Sequence, residues 1–195
     1  MTAGILAFGS VNSEPGAELA AVIASRIEVE TPFTVEFARS SRTRDGAPTL
    51  VPVSEGGARV PAGVLVLDQA VTAAAARAML YRRETRRTDD SRAGSGVSWI
   101  AELTGFAGTD LCFYAALPAN IWPLTADKLA ELAISSAAAQ AGAERRDGIS
   151  YLQQQLHRGI VTPLMLPYQE AVLARTGAAD LAGAWRQARS GAVGG

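Results

Sequence analysis

The order of its apolar segments constrains this chain most. Up to about residue 117 they are short and punctuated by glycine and proline, and from Thr125 onward the sequence is alanine-rich and helical in pattern. Strands first and helices afterwards is the order of an α+β domain, here with a small, mostly antiparallel sheet or barrel and a helical C-terminal half. Gly4-Ile5-Leu6-Ala7-Phe8-Gly9 reads as a buried strand entering a tight turn. Ser13-Glu14-Pro15-Gly16 supplies helix-start residues and predicts a short helix over 17–27. Strands are expected at 33–38, at 49–53 near a sheet edge because of Pro52, and at 62–67. Thr72 is placed to cap a helix over 73–87, built mostly of strong helix formers. A polar, glycine-rich loop over 88–96 follows, expected to move and to cover a bound ligand, or to be an ordinary surface loop. One more apolar strand, 111–117, stops at Pro118, and helices are expected over 125–140, 148–158, 168–175 and 179–189.

No repeat or linker divides the 195 residues, so one domain is expected over 1–190, with 191–195 as a disordered tail. A net charge of −1 gives no general attraction to nucleic acid or to an anionic membrane. No apolar run approaches the ~18 residues that span a bilayer, and the first ten residues lack the basic start of a signal peptide. The single cysteine, Cys112, cannot form an internal disulfide, which fits a reducing, cytoplasmic setting. One histidine and one cysteine cannot build a zinc site, and no nucleophile-elbow motif is present. No metal or cofactor is expected, and the chemistry falls to carboxylates and backbone groups.

Ile5-Leu6-Ala7-Phe8-Gly9-Ser10-Val11 resembles the Tyr-Gly-Ser-Leu signature that follows the first strand in the γ-glutamylcyclotransferase family. The segment from Pro61 to Leu67 is similar to that family's strand before its catalytic helix, and Tyr81-Arg82-Arg83-Glu84 to the helix end that carries its glutamate. Tyr151-Leu152, Pro163 and Leu166-Pro167-Tyr168 resemble its late helices more loosely. Phe8 stands where the family has tyrosine, so one hydroxyl that could orient a ligand is missing, and Val11 stands for leucine. The resemblance implies a cofactor-free enzyme of the amide-cyclising lyase or acyltransferase kind. It would cyclise a γ-glutamyl group to 5-oxoproline and release an amine, amino acid or peptide. It implies Glu84 as general acid and base, with Phe8, Gly9, Ser10 and Val11 gripping the substrate and Tyr114 lining its site. The partner would be a small γ-glutamyl molecule, such as glutathione or a γ-glutamyl amine.

The residues support two readings of Glu84. It continues the stripe Ala73, Ala76, Leu80 at helical spacing, which turns it toward the core side. A carboxylate so turned is partly desolvated, the setting in which carboxyl groups serve as proton carriers near neutral pH. The other reading is a surface glutamate paired with Arg77, Arg83 or Arg87. The 8–11 turn likewise either presents backbone N–H groups to an anion or simply joins a strand to a helix. Arg82, Arg83, Arg86 and Arg87 either hold a second carboxylate or complement the helix dipole. Cys112 reads as an inert buried thiol, and His157 as a helix-surface residue. A non-catalytic module on the same fold, binding a small acidic ligand, is the alternative function. The enzyme reading requires the end of the first strand to face the C-terminal half of the 72–87 helix.

Overall fold

A computed structural model describes residues 1–86 and 99–191. Backbone contacts divide the chain into two compact units, Met1–Pro32 with Pro61–Leu117, and Phe33–Val60 with Pro118–Gly195. The α+β class expected from the element order holds. The loop expected over 88–96 and the tail over 192–195 lie outside the described residues.

The first unit is built on a mixed five-stranded sheet in the order β2-β5-β1-β7-β6. Its centre is β1 (Ala3–Ala7), buried along its whole length, as its unbroken apolar run requires. It pairs antiparallel with β5 (Pro61–Leu67) and parallel with β7 (Leu111–Ala115). The outer strands β2 (Ile23–Glu30) and β6 (Ile100–Thr104) pair antiparallel with β5 and β7. The sheet is thus antiparallel at every pair except β1–β7.

The helix α3 (Ala73–Thr85) begins where its cap predicts, with the Thr72 hydroxyl accepting from the Ala75 N–H at 3.2 Å. Its buried residues Ala76, Leu80 and Tyr81 join Ala3, Ile5, Ala7, Leu65 and Phe113 in one apolar cluster. Truncating a side chain as buried as Leu80, 1% exposed, costs about 2–5 kcal/mol in such a core. Tyr81 stacks on Trp99 with ring centroids 5.8 Å apart. Two very short helices, α1 (Ser10–Ser13) and α2 (Ala17–Ala20), join β1 to β2.

Two expectations need correcting in this unit. The helix expected over 17–27 stops at Ala20, and the chain re-enters the sheet as β2 at Ile23. The alanines of that stretch favour a helix, but Val22, Ile23, Ile27 and Val29 are β-branched, and pairing with β5 decides the matter. The strand β6 was not expected at all. It is only five residues long and does not alternate cleanly, and its register is set by the neighbouring β7, from Ile100 opposite Ala115 to Thr104 opposite Leu111.

The second unit holds an antiparallel pair, β3 (Val35–Ser41) and β4 (Ala47–Pro52), and the later helices. Pro52 closes β4, a position where a missing N–H costs no ladder bond. The helices are α4 (Ala126–Ala138), α5 (Gln140–Ala143), α6 (Gly148–His157), α7 (Met165–Thr176) and α8 (Leu181–Gly191). Thr125 caps α4 and Asp147 caps α6 through their side chains. The helix expected from Tyr168 starts earlier, at Met165, because Pro167 then falls in the first turn, where its missing N–H is harmless. Leu129, Ala130, Ala133 and Ala137 form the buried face of α4. Phe37 of β3 meets the ring edges of Tyr151 and Tyr168 at 6.1 and 5.5 Å. Beside it, the wholly buried Glu36 carboxylate accepts from the Thr162 hydroxyl at 2.6 Å, the Leu164 N–H at 3.0 Å and the Phe37 N–H at 2.8 Å. The Leu164 bond matters because the N-terminus of α7 has no side-chain cap of its own.

Candidate functional site

The candidate site lies wholly within the first unit, where β1 ends. Gly9 follows it with φ 64° and ψ −136°, a conformation that residues with a Cβ avoid. This sharp turn is what sends the chain from the sheet directly into α1. The N–H groups of a single-turn helix have no intrahelical acceptor, so Ser10 and Val11 carry backbone donors at the strand's end. Val11 is buried in the apolar cluster with Leu19 and Leu80, which holds α1 against α3. Phe8, 8% exposed, is also buried.

Helix α3 brings the second half. Glu84 is its penultimate residue, with its side chain 13% exposed. Its Oε1 accepts from Arg83 Nη1 at 2.5 Å. The same guanidinium donates through Nη2 to Ser10 Oγ at 3.1 Å and to the Glu14 carbonyl at 2.8 Å, with Nε on that carbonyl at 3.2 Å. Arg83 therefore ties Glu84 to both ends of α1. The strand end and the C-terminal half of α3 do meet, and the bridge between them is an arginine side chain.

This geometry keeps a part of each reading of Glu84. The carboxylate is paired with Arg83, as a structural glutamate would be. Yet it is mostly buried and joined to the 8–11 turn, where surface pairing alone gives no reason for it to be. The guanidinium has one anionic acceptor, Glu84, and two neutral ones, the Ser10 hydroxyl and the Glu14 carbonyl.

The remaining arginines take different places. Arg82 forms an ion pair with Glu18 of α2, its Nε donating to Oε2 at 3.0 Å. Arg86 is exposed and ends α3 in a left-handed conformation with φ 54°. Arg87 lies outside the described residues. Arg82 and Arg83 thus do more than complement the helix dipole: both pin α3 to the short helices after β1.

Tyr114 is not among the partners of Arg83 in this bridge. Its neighbour Phe113 packs into the α3-side cluster, and alternation along β7 turns Tyr114 to the other face of the sheet. There it is half-buried, and that burial raises its phenol above the ordinary value. Cys112 is fully buried, and desolvation pushes its thiol up to about 11. His157 is exposed at the end of α6. Among the described residues no group of three His, Cys, Asp or Glu side chains is arranged to hold a metal ion, and no helix is long and apolar enough to cross a membrane.

Sequence reasoning missed the specific part that Arg83 plays. Its adjacency to Glu84 suggested the ion pair. Nothing in the spacing showed that the same side chain would reach 73 positions back to Ser10. Compared with protein-family models, with curated proteins and with solved structures, the chain matches none.

Proposed function

We propose that this chain is an enzyme of the γ-glutamylcyclotransferase type, with Glu84 as its proton carrier. The observation that carries the reading is the Arg83 bridge, which holds a mostly buried carboxylate beside the glycine turn that ends β1. The finer architecture belongs to the same proposal. The reading is supported by the Gly-Ser turn after β1 and the glutamate near the end of α3, the features on which the γ-glutamylcyclotransferase resemblance rests.

The reaction is intramolecular. The substrate's α-carboxylate sits at the Ser10 and Val11 N–H groups and the Ser10 hydroxyl. The substrate's own α-amino nitrogen attacks the γ-carbonyl carbon, and Glu84 takes the proton that this nitrogen must lose. The resulting tetrahedral centre collapses with cleavage of the original amide C–N bond. Glu84 returns the proton to the departing nitrogen, leaving 5-oxoproline and a free amine. One carboxylate serves both steps, so no second titrating group is required. Phe8 makes the wall of the turn apolar where the family has a hydroxyl, which favours substrates held mainly by their carboxylate.

A panel of γ-glutamyl amino acids, peptides and amines, read out by 5-oxoproline release, tests the reading. Turnover of at least one member is the expected result. Binding of 5-oxoproline or glutamate without turnover of any member would replace the enzyme by the small-acid binding module.

A further inference from the structure

The outer strand β2 takes no part in the Arg83 bridge. It forms one edge of the five-stranded sheet, so one side of its backbone has no neighbouring strand among the described residues. It is eight residues long, and all but Ile23 and Val29 are exposed. Long edges of this kind are normally covered, shortened or guarded, because they invite pairing with another strand. Ile27 is one of the chain's exposed large apolar residues, at 38% exposure.

We propose that β2 is a homodimerisation strand that pairs antiparallel with β2 of a second copy, about a two-fold axis at Ile27. The charges select this partner and this register. In an antiparallel pair, side chains directly opposite share a face, so the axis must pass through a residue. An axis at Arg26 sets that arginine against its own copy, and an axis at Glu28 sets two glutamates together. An axis at Ile27 sets Arg26 against Glu28 of the second copy, and Glu28 against Arg26 of the second copy. Both ion pairs form on one face, and the two Ile27 side chains meet on the other.

The existing pairing agrees with this assignment of faces. Arg26 stands opposite Leu65 of β5 and Glu28 opposite Gly63, two positions on one face, while Ile27 stands opposite Val64 on the other. The register shift in β2 falls between Ile23 and Ser25, so the stretch from Ser25 to Glu30 is regular and free to pair. Charges of one sign along this edge would repel a second copy in every register. The alternation Arg26, Glu28 instead makes the edge complementary to itself.

The test is sedimentation of the full chain over a wide concentration range at low and high salt. The parent should self-associate reversibly, and more weakly in high salt. Arg26→Glu should weaken the dimer roughly tenfold or more by opposing glutamates, and Glu28→Arg should do so by opposing arginines. An equimolar mixture of the two single variants should associate at least as tightly as the parent, because every cross-pair then joins opposite charges. The Arg26→Glu/Glu28→Arg double variant should also self-associate. Arg26 donates to the Asn12 carbonyl at 3.0 Å, so the first variant loses an internal bond as well. The mixture separates this effect, since a folding defect is not repaired by a second variant. A parent that stays monomeric, or a mixture no tighter than either variant alone, overturns the proposal.

Discussion

Arg83 and Gly9 set the geometry around Glu84 from opposite sides. Arg83 spends its donors on Glu84, Ser10 and the Glu14 carbonyl, so the carboxylate's position is fixed by the short helix after β1. Gly9 lets that helix start where it does. Gly9→Ala forces a Cβ into the φ 64° turn, and should lower stability by about 1–3 kcal/mol in urea denaturation. An unchanged midpoint would show that the turn relaxes without cost. Glu36 gives a second residue-level test, remote in role from catalysis. Its carboxylate accepts three hydrogen bonds in a fully buried setting. Glu36→Gln turns one oxygen into an NH2 that must face the Leu164 or Phe37 N–H. A loss of about 2–3 kcal/mol is expected by chemical denaturation, and full stability in the variant would mean that the acceptors are dispensable.

Elements divide by how local their causes are. The strands β1 and β5 and the helix α3 were legible because each carries its own signal: continuous apolar runs, closed by Gly9 after β1 and by Asp68 after β5, and a threonine cap before a helix-forming stretch. The strand β2 was not, because its alanines and its β-branched residues point to different structures and only the neighbour β5 decides between them. The strand β6 depends on β7 in the same way. Cys112 makes β7 testable by pH. Burial raises its thiol from an ordinary 9.0 to about 11, against smaller opposing effects of bonds to Thr109 and Leu6. Between those values the unfolded chain loses the proton while the folded chain keeps it. The folded state then binds more protons, so its stability falls as pH rises through that window. Tyr114 and Tyr168 are raised from 10.0 by burial and act in the same direction at higher pH. The comparison with Cys112→Ala isolates the thiol. The thermal midpoint of the variant should fall less steeply above pH 9.0 than that of the parent. Parallel curves would mean that Cys112 ionises as readily in the folded chain as in the unfolded one.

For the whole molecule, the α+β class followed from element order, while the division of contacts into two units did not. Chain segments 33–60 and 118–191 are far apart in sequence, and only packing joins them into one unit. The proposed site is likewise a product of packing, since it joins the end of β1 to the end of α3. Glu84 and the 8–11 turn were legible as separate residues. Their connection was not, because it runs through a long arginine side chain whose reach leaves no periodic trace. In the proposed mechanism this assembly moves a proton through Glu84. Glu84→Gln keeps the side chain's size and removes its base, so its effect on turnover and on stability separates chemistry from structure. The direct measurement is 5-oxoproline release from the best γ-glutamyl substrate, taken with the thermal midpoint, for Glu84→Gln against the parent. With Glu84 as the proton carrier, turnover should fall by ~10²–10⁴-fold with the fold retained and ligand binding preserved. Turnover near the parent's, with a lowered midpoint, would contradict this role and leave Glu84 as no more than the structural partner of Arg83.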